Sequence, residues 1–491
     1  MNDRVVDAAG LPEELSAFDM LLHRGEANPR TRSGIMALEI LDTTPDWGRF
    51  VEVFESASRR VLRLRQKVVV PTVPTASPRW VVDPDFNLNF HVRRVRVPEP
   101  GTLRQVIDLA EVSLQSPLDI SRPLWTATLV EGLADGRAAT LLHMSHAVTD
   151  GVGAVEMFAH IYDLEREPPP REPAPLPIPQ DLTPNDLARE GLNRLPTTLL
   201  GGVRGALTGA AQVIGRVLAD PASAVGGAVE YARSGGRVMS AGTEHSPLLR
   251  RRSLTSRSEA IDMELGDIRA AAKAAEGSIN DAYLAALCGA LRRYHHEFGM
   301  PIDSLPMAIP VNMRAEADPA GGNRFAGVMI SAPLGISDPK ARIHNVRTQM
   351  VKRRDEPAID MIGSVAPLLG LLPDPLLESV ASSVVSADVQ ASNVPVYAGD
   401  TYLAGAKVLR QYGIGPLPGV AMMAVLISRG GMCTVTTRYD RASVTDDDLW
   451  ARCLLDGFNE VLALGGEGRA APASFAAPSN QPPSPNGSSP S

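Results

Sequence analysis

Apolar positions along the chain switch repeatedly between helical spacing and strict alternation, the two periods that mark an amphipathic helix and a half-buried strand. Helical spacing runs from Phe50 to Leu64, from Ile279 to Tyr294, from Asp338 to Arg353 and from Asp446 to Leu464. Strand patterns run from Asn89 to Val97, Trp125 to Val130, Ala138 to Met144, Met307 to Val311 and Gly327 to Pro333. Three more follow from Tyr402 to Leu409, Val420 to Ile427 and Thr434 to Tyr439. Gly132 and Asp135-Gly136 supply turn chemistry between two of these runs and predict a hairpin. Strands and helices interleave in both halves, which indicates an α/β or α+β protein of two units.

The composition changes between those halves. Pro168 to Pro179 carries seven prolines and predicts an extended strap. A Gly/Ala-rich stretch from Leu199 to Tyr231 follows, with apolar residues near helical spacing. It reads as a linker helix packed on the body, or as an amphipathic helix at a lipid surface. The Arg-rich run from Arg250 to Arg257 reads as an exposed, solvated connector. The expected organisation is a first unit over 1–165, a crossover over 166–258, a second unit over 259–464 and a disordered tail rich in Pro, Ser and Asn over 465–491.

Length and charge narrow the function. A chain of 491 residues has room for two or three cores. Its net charge of −8 disfavours nucleic-acid binding driven by a basic field. Cys288, Cys433 and Cys453 are too scattered for a disulfide framework or a Cys-rich zinc site, so a reduced cytoplasmic setting is expected. No basic n-region followed by an apolar h-region is visible at the start. The apolar stretch from Met361 to Leu372 is broken by Gly363, Ser364, Pro367 and Gly370, too short to span a bilayer, so any membrane contact is expected to be peripheral.

The chemistry concentrates where the strand from Ala138 ends, at Ser145-His146-Ala147-Val148-Thr149-Asp150-Gly151. Asp150 is placed to cap a helix predicted from about Val152 to Leu164, and Gly151 permits close backbone approach. A histidine at a strand-to-loop junction can serve as a general base near neutral pH. The pair His295-His296 lacks a following Asp-Gly and sits in a charged helix end. The nine histidines show no His-Glu-x-x-His spacing, so no metal is expected; no Walker or dinucleotide fingerprint and no Gly-x-Ser-x-Gly elbow is present.

His146 to Gly151 resembles the HHxxxDG motif of the bacterial wax ester synthase/diacylglycerol acyltransferase family, shared with peptide-synthetase condensation domains and chloramphenicol acetyltransferase relatives. Pro123-Leu124-Trp125 is similar to that family's PLW motif, and Asn280-Asp281 to its ND motif. Residues 310–314 with Gly322-Asn323, Ser392 to Pro395 and Leu403 to Ala406 resemble further elements, as does Ser16 to Asp19 at the start. The resemblance spans about Leu15 to Leu464, and departs at Ser145, where the family usually has the first histidine.

The resemblance implies two chloramphenicol-acetyltransferase-like units with mixed sheets and an active-site channel at their interface. It implies an acyl-CoA-dependent O-acyltransferase that moves a long-chain fatty acyl group to diacylglycerol, a long-chain alcohol or both. His146 would be the base, with no acyl-enzyme, no bound cofactor and acyl-CoA as co-substrate. Ser145, Asp150, Gly151, Asn280 and Asp281 would support the motif. Asp150 would orient the loop rather than transfer a proton. Asn280 would stabilise an oxyanion, or Asn280 or Asp281 would simply cap a helix. Pro123, Leu124, Trp125, Gly322 and Asn323 are candidates for the substrate channel, with Trp125 more a packing residue. Location would be cytoplasmic and peripheral to the inner membrane face or lipid droplets. Two other readings stand beside this one. A non-catalytic lipid-binding or lipid-body protein is motivated by Ser145 and would bind acyl-CoA without turnover. An acyltransferase fed by a carrier protein would prefer acyl-carrier donors.

Overall fold

The computed structural model describes residues 13–73, 75–148, 159–169, 174–193, 242–312, 325–354, 387–397, 399–466 and 474–475. In chain order the first half contains α1 (Ala17–Gly25), β1 (Gly34–Leu41), α2 (Trp47–Arg60), β2 (Gln66–Val69), β3 (Arg79–Val82), α3 (Leu88–His91), β4 (Val92–Arg96), α4 (Leu103–Gln115), β5 (Trp125–Glu131) and β6 (Ala138–Ser145). A helix over 184–193, α5, follows the proline strap, whose residues 174–183 are non-helical. Then come β7 (Ser256–Glu264), α6 (Leu265–Ala274), α7 (Ile279–Glu297), β8 (Ser304–Asn312), β9 (Phe325–Pro333) and α8 (Pro339–Arg354). The chain closes with β10 (Val389–Pro395), β11 (Tyr402–Leu403), β12 (Ala406–Ile414), β13 (Met422–Arg429), β14 (Met432–Asp440), α9 (Asp447–Leu462) and β15 (Ser474–Phe475).

Two mixed sheets organise these elements, as the α/β reading expects. The first has the order β11-β12-β1-β6-β5-β4 and the second β15-β7-β14-β13-β10-β8-β9. In each, one strand pairing or more is parallel, β4 with β5 in the first and β10 with both β13 and β8 in the second, while the others are antiparallel. The hairpin joining β5 and β6 turns through Gly132, Asp135 and Gly136, all at positive φ.

The helices begin where side chains can take the free N–H groups of a first turn. Thr102 and Gln105 form a capping box on α4, and Ser278 and Asp281 form another on α7. α7 is buried almost all round from Asp281 to Leu291, so it runs through the core of the second half rather than along its surface. It packs against α9, whose Trp450, Leu454, Phe458 and Val461 share that core.

The first sheet is completed from the far half of the chain. β12 lies antiparallel to β1, pairing Met36 with Ile414 and Leu38 with Tyr412. Ala404 and Gly405, both at positive φ, make the two-residue turn from β11 into β12, the geometry a tight hairpin demands. Residues 402–414, expected within the second unit, therefore build the first sheet. Local alternation identified them as strand but carried no information about the partner.

Other differences are smaller. The strand expected from Asn89 begins at Val92, because Asn87 caps the short α3 ahead of it. Residues 159–164 form a turn, with Asp163 bridging Tyr402, so the helix predicted to reach Leu164 does not extend over them; the rest of its predicted span lies outside the described residues. Of the expected exposed connector, Arg250 and Arg251 are exposed, but half-buried Arg252 donates to Gly419 O and Ser443 Oγ, and buried Arg257 pairs with Glu259 at 3.0 Å. Within the expected tail, Ser474 and Phe475 pair with Asp262 and Ile261 of β7. The stretch from Leu199 to Tyr231 lies outside the described residues.

The two halves meet through polar groups as well as apolar ones. Ala260 of β7 shares a core with α4 residues Val106, Ile107, Ala110 and Leu114 and with Tyr412 and Ile414 of β12. Beside it, Glu111 of α4 accepts from Arg438 of β14 at 2.8 Å and from Ser258 Oγ at 2.8 Å. Burial alone would raise the Glu111 carboxyl, but Arg438 and the hydroxyls of Ser256 and Ser258 hold it below its ordinary value.

Candidate active site

β6 ends at Ser145, and His146 opens the turn that follows. The strand end is fixed from both flanks. On one side the Ser145 N–H donates to Leu124 O at 3.0 Å, and on the other the His146 N–H donates to Ser33 O at 3.2 Å. The PLW stretch is thus joined to the motif by its backbone. Its Pro123, Leu124 and Trp125 are all buried. Trp125 Nε1 donates to Leu64 O at 2.8 Å, and its ring stacks on His91 and Phe54. These contacts pack Trp125 beside the strand that leads to His146.

Ser145 is fully buried. Its hydroxyl donates to Glu26 Oε1 at 2.8 Å and accepts from the Ala147 N–H at 3.2 Å. Ser33 donates to the same carboxylate oxygen through both its hydroxyl, at 2.8 Å, and its N–H, at 3.3 Å. Glu26, the C-cap residue of α1, is itself 1% exposed. Sequence reasoning missed Glu26 and Ser33. The one available signal was Ser145, a small hydroxyl at a position where the motif usually has an imidazole.

The neighbouring His143 does not compete for a chemical role. Burial, followed by the field of Arg438, pushes its pKa down to about 3, so it is neutral. Its ring lies so close to β1 that a Cβ on Gly34 would come within 2.8 Å of Nε2, so a larger residue there would have to displace the ring. His146, by contrast, is only half-buried. His295, from the second histidine pair, is structural: its Nδ1–H donates to Leu291 O at 2.7 Å and Nε2 accepts from Ser246 Oγ at 2.7 Å.

The segment after the motif is anchored too. Asp163 and Tyr402 exchange backbone hydrogen bonds of 2.8 Å, and Tyr162 donates its hydroxyl to buried Glu39. Burial raises the Glu39 carboxyl above its ordinary value, against the pull of Arg429.

Asp281 acts as the capping partner of Ser278, with Arg347 at 3.4 Å. Half-buried Asn280 stands beside it in the first turn of α7, outside the capping box. The described contacts link neither residue to His146. Asp150, Gly151, Gly322 and Asn323 lie outside the described residues. Among the described residues no group of His, Cys, Asp and Glu side chains is arranged to hold a metal ion, and no helix is long and apolar enough to cross a membrane. A cleft lined by Glu244, His245, Arg250, Arg252 and Asp388 belongs to the second half and includes none of the motif residues.

Comparison with known proteins decides the family. Residues 7–283 match the wax ester synthase/diacylglycerol acyltransferase catalytic domain, and residues 321–462 match the C-terminal domain of the same family. The chain belongs to the wax ester synthase/diacylglycerol acyltransferase family. As a member it is an O-acyltransferase. A protein of Mycobacterium tuberculosis H37Rv, provisionally named diacylglycerol O-acyltransferase, is 70% identical over 467 residues, 95% of each chain. The wax ester synthase/diacylglycerol acyltransferase of Marinobacter aquaeolei VT8 is 19% identical in sequence with a TM-score of 0.61, covering 91% of this chain and 98% of that one. The first condensation domain of the CDA synthetase has a TM-score of 0.55 at 12% identity, covering 95% of this chain and 98% of that one. These two structures share the fold.

Proposed function

We propose that the protein transfers a long-chain fatty acyl group from acyl-CoA to the hydroxyl of diacylglycerol, a long-chain alcohol or both. His146 acts as general base. The observation that carries this reading is the position of His146 within a family acyltransferase domain: half-buried at a strand end whose backbone is held on both flanks. The 70% identical relative, with diacylglycerol O-acyltransferase in its name, supports the choice of acceptor.

In this mechanism the imidazole of His146 takes the acceptor's hydroxyl proton as the oxygen attacks the thioester carbonyl. The resulting tetrahedral oxyanion collapses, the C–S bond breaks, and the imidazolium returns the proton to the CoA thiolate. The ester forms without an acyl-enzyme. A neutral imidazole suits this role near pH 7. Asp150 and Gly151 support the motif after the base, and Asn280, or Gly322 with Asn323, contributes to the channel. The wall formed by Pro123, Leu124 and Trp125 keeps the catalytic strand in place. No metal or other bound cofactor takes part. The enzyme reaches its lipid substrates as a peripheral protein at the inner membrane face or at lipid droplets.

The test is CoA release by the purified protein from palmitoyl-CoA, with a diacylglycerol or hexadecanol as acceptor. Acceptor-dependent release is expected, and His146→Ala should lower kcat by about 10²–10⁴-fold, the usual worth of a general base. Full turnover by His146→Ala would remove the base assignment. Absence of turnover with every acceptor would leave a lipid-binding role, and turnover only with acyl-carrier donors would replace CoA as the donor.

A further inference from the structure

We infer that Glu26 is a positioning residue for His146, acting through the hydroxyls of Ser33 and Ser145. The inference rests on the reading of His146 as the base. Its geometry is a closed set of bonds around that residue. Glu26 Oε1 accepts from Ser33 Oγ and from Ser145 Oγ, each at 2.8 Å. Ser33 then offers its carbonyl to the His146 N–H, and Ser145 Oγ takes the Ala147 N–H. The amides on both sides of the His146 α-carbon therefore end on residues that one carboxylate holds together. φ of His146 is bounded by its own amide and ψ by the next, so the clamp restricts the direction in which the imidazole leaves the backbone.

Three separate parts of the chain supply the clamp: the end of α1, the residue before β1 and the end of β6. Glu26, Ser33 and Ser145 are all buried, so water does not compete for these bonds. Ser145 is short enough to leave Glu26 within hydrogen-bond reach of β6. A side chain as large as imidazole at that position would occupy the space the carboxylate uses. The serine and the glutamate thus form a matched pair, and the serine is an integral part of the site.

The test is steady-state acyl transfer by the full chain, with palmitoyl-CoA and hexadecanol or a diacylglycerol. Ser145→Ala and Glu26→Ala should each lower kcat about ten-fold, with KM for both substrates within about three-fold, because a misaimed base slows chemistry without weakening binding. Glu26→Gln, which keeps an oxygen acceptor, should retain most of the turnover. The double variant Ser145→Ala/Glu26→Ala should be no slower than the worse single one, since both act through one clamp. If Glu26→Ala does not fold, Ser145→Ala decides alone. Wild-type kcat in Ser145→Ala, or losses that follow KM or the folded fraction, would overturn the positioning role. His146→Ala separates the two readings. If it is inactive while Ser145→Ala and Glu26→Ala keep full turnover, the positioning role alone falls; if it keeps full turnover, both fall.

Discussion

Arg104, in the first turn of α4, meets Glu259 on β7 at 2.9 Å, with the two side chains 2% and 4% exposed. The same guanidinium donates to Ser258 O at 2.8 Å and pairs with Asp108. Glu259 also faces Arg257, which in turn lies 3.6 Å from Asp447 at the start of α9. A line of alternating charges thus runs from the first half of the chain into the second. Desolvation makes such a pair a poor source of net stability, but it also makes a broken pair expensive.

Removing Arg104 leaves Glu259 beside Arg257 alone and empties the space between α4 and β7. Arg104→Ala is expected to cost about 3–5 kcal/mol, the usual penalty for one partner of a buried pair. Urea unfolding followed by circular dichroism measures it. A cost below about 1 kcal/mol would mean that the pair is solvated in solution.

The buried histidines set the acid limit of the fold. His143 is pushed down to about 3 by burial and then by Arg438, and His23 and His91 are each pushed down to about 4, chiefly by burial. All three are depressed in the folded chain, so the unfolded chain binds more protons once the pH falls below about 6.5. Stability is fully present above that value and declines as the pH drops toward the folded values, by up to about 1.4 kcal/mol per pH unit for each histidine. His143→Gln should flatten this decline between pH 6.5 and 4 in chemical unfolding; an unchanged slope would show that His143 is charged in the folded protein.

Trp125 contributes one bond that phenylalanine lacks. Trp125→Phe leaves the carbonyl of Leu64 without its indole donor in a buried site. The expected loss is about 1–3 kcal/mol, the cost of an unsatisfied buried acceptor. The ring stack with His91 and Phe54 should survive. The thermal midpoint should therefore fall while KM for acyl-CoA stays near wild type; a large rise in KM would make Trp125 a substrate contact.

Much of this architecture was legible in local sequence. The hairpin of β5 and β6 announces itself through alternating residues and Asp135-Gly136, and α7 through the apolar pattern from Ile279 to Tyr294, whereas its cap, Ser278, shows only in the structure. The strand from Trp125 and the strand from Ala138 that ends beside His146 both read correctly as strands, although their link through Leu124 O is visible only in three dimensions. What was not legible depends on distance along the chain. Glu26 and Ser145 are 119 residues apart, and no period or turn signal relates them. Arg252 and Arg257 look like solvated charges because their partners, Gly419 O, Ser443, Glu259 and Asp447, are fixed only by tertiary packing. Ser474 and Phe475 sit in a polar, proline-rich sequence whose composition conceals a short edge pairing.

The placement of β12 beside β1 has a consequence for how the protein is made. A ribosome delivers β1, β5 and β6 long before Ala406–Ile414 emerges. Until then the outer edge of β1 has unsatisfied N–H and C=O groups and no strand to take them. The nascent first half is therefore an open template, vulnerable to pairing with another chain, and closes only when nearly the whole protein has been synthesised.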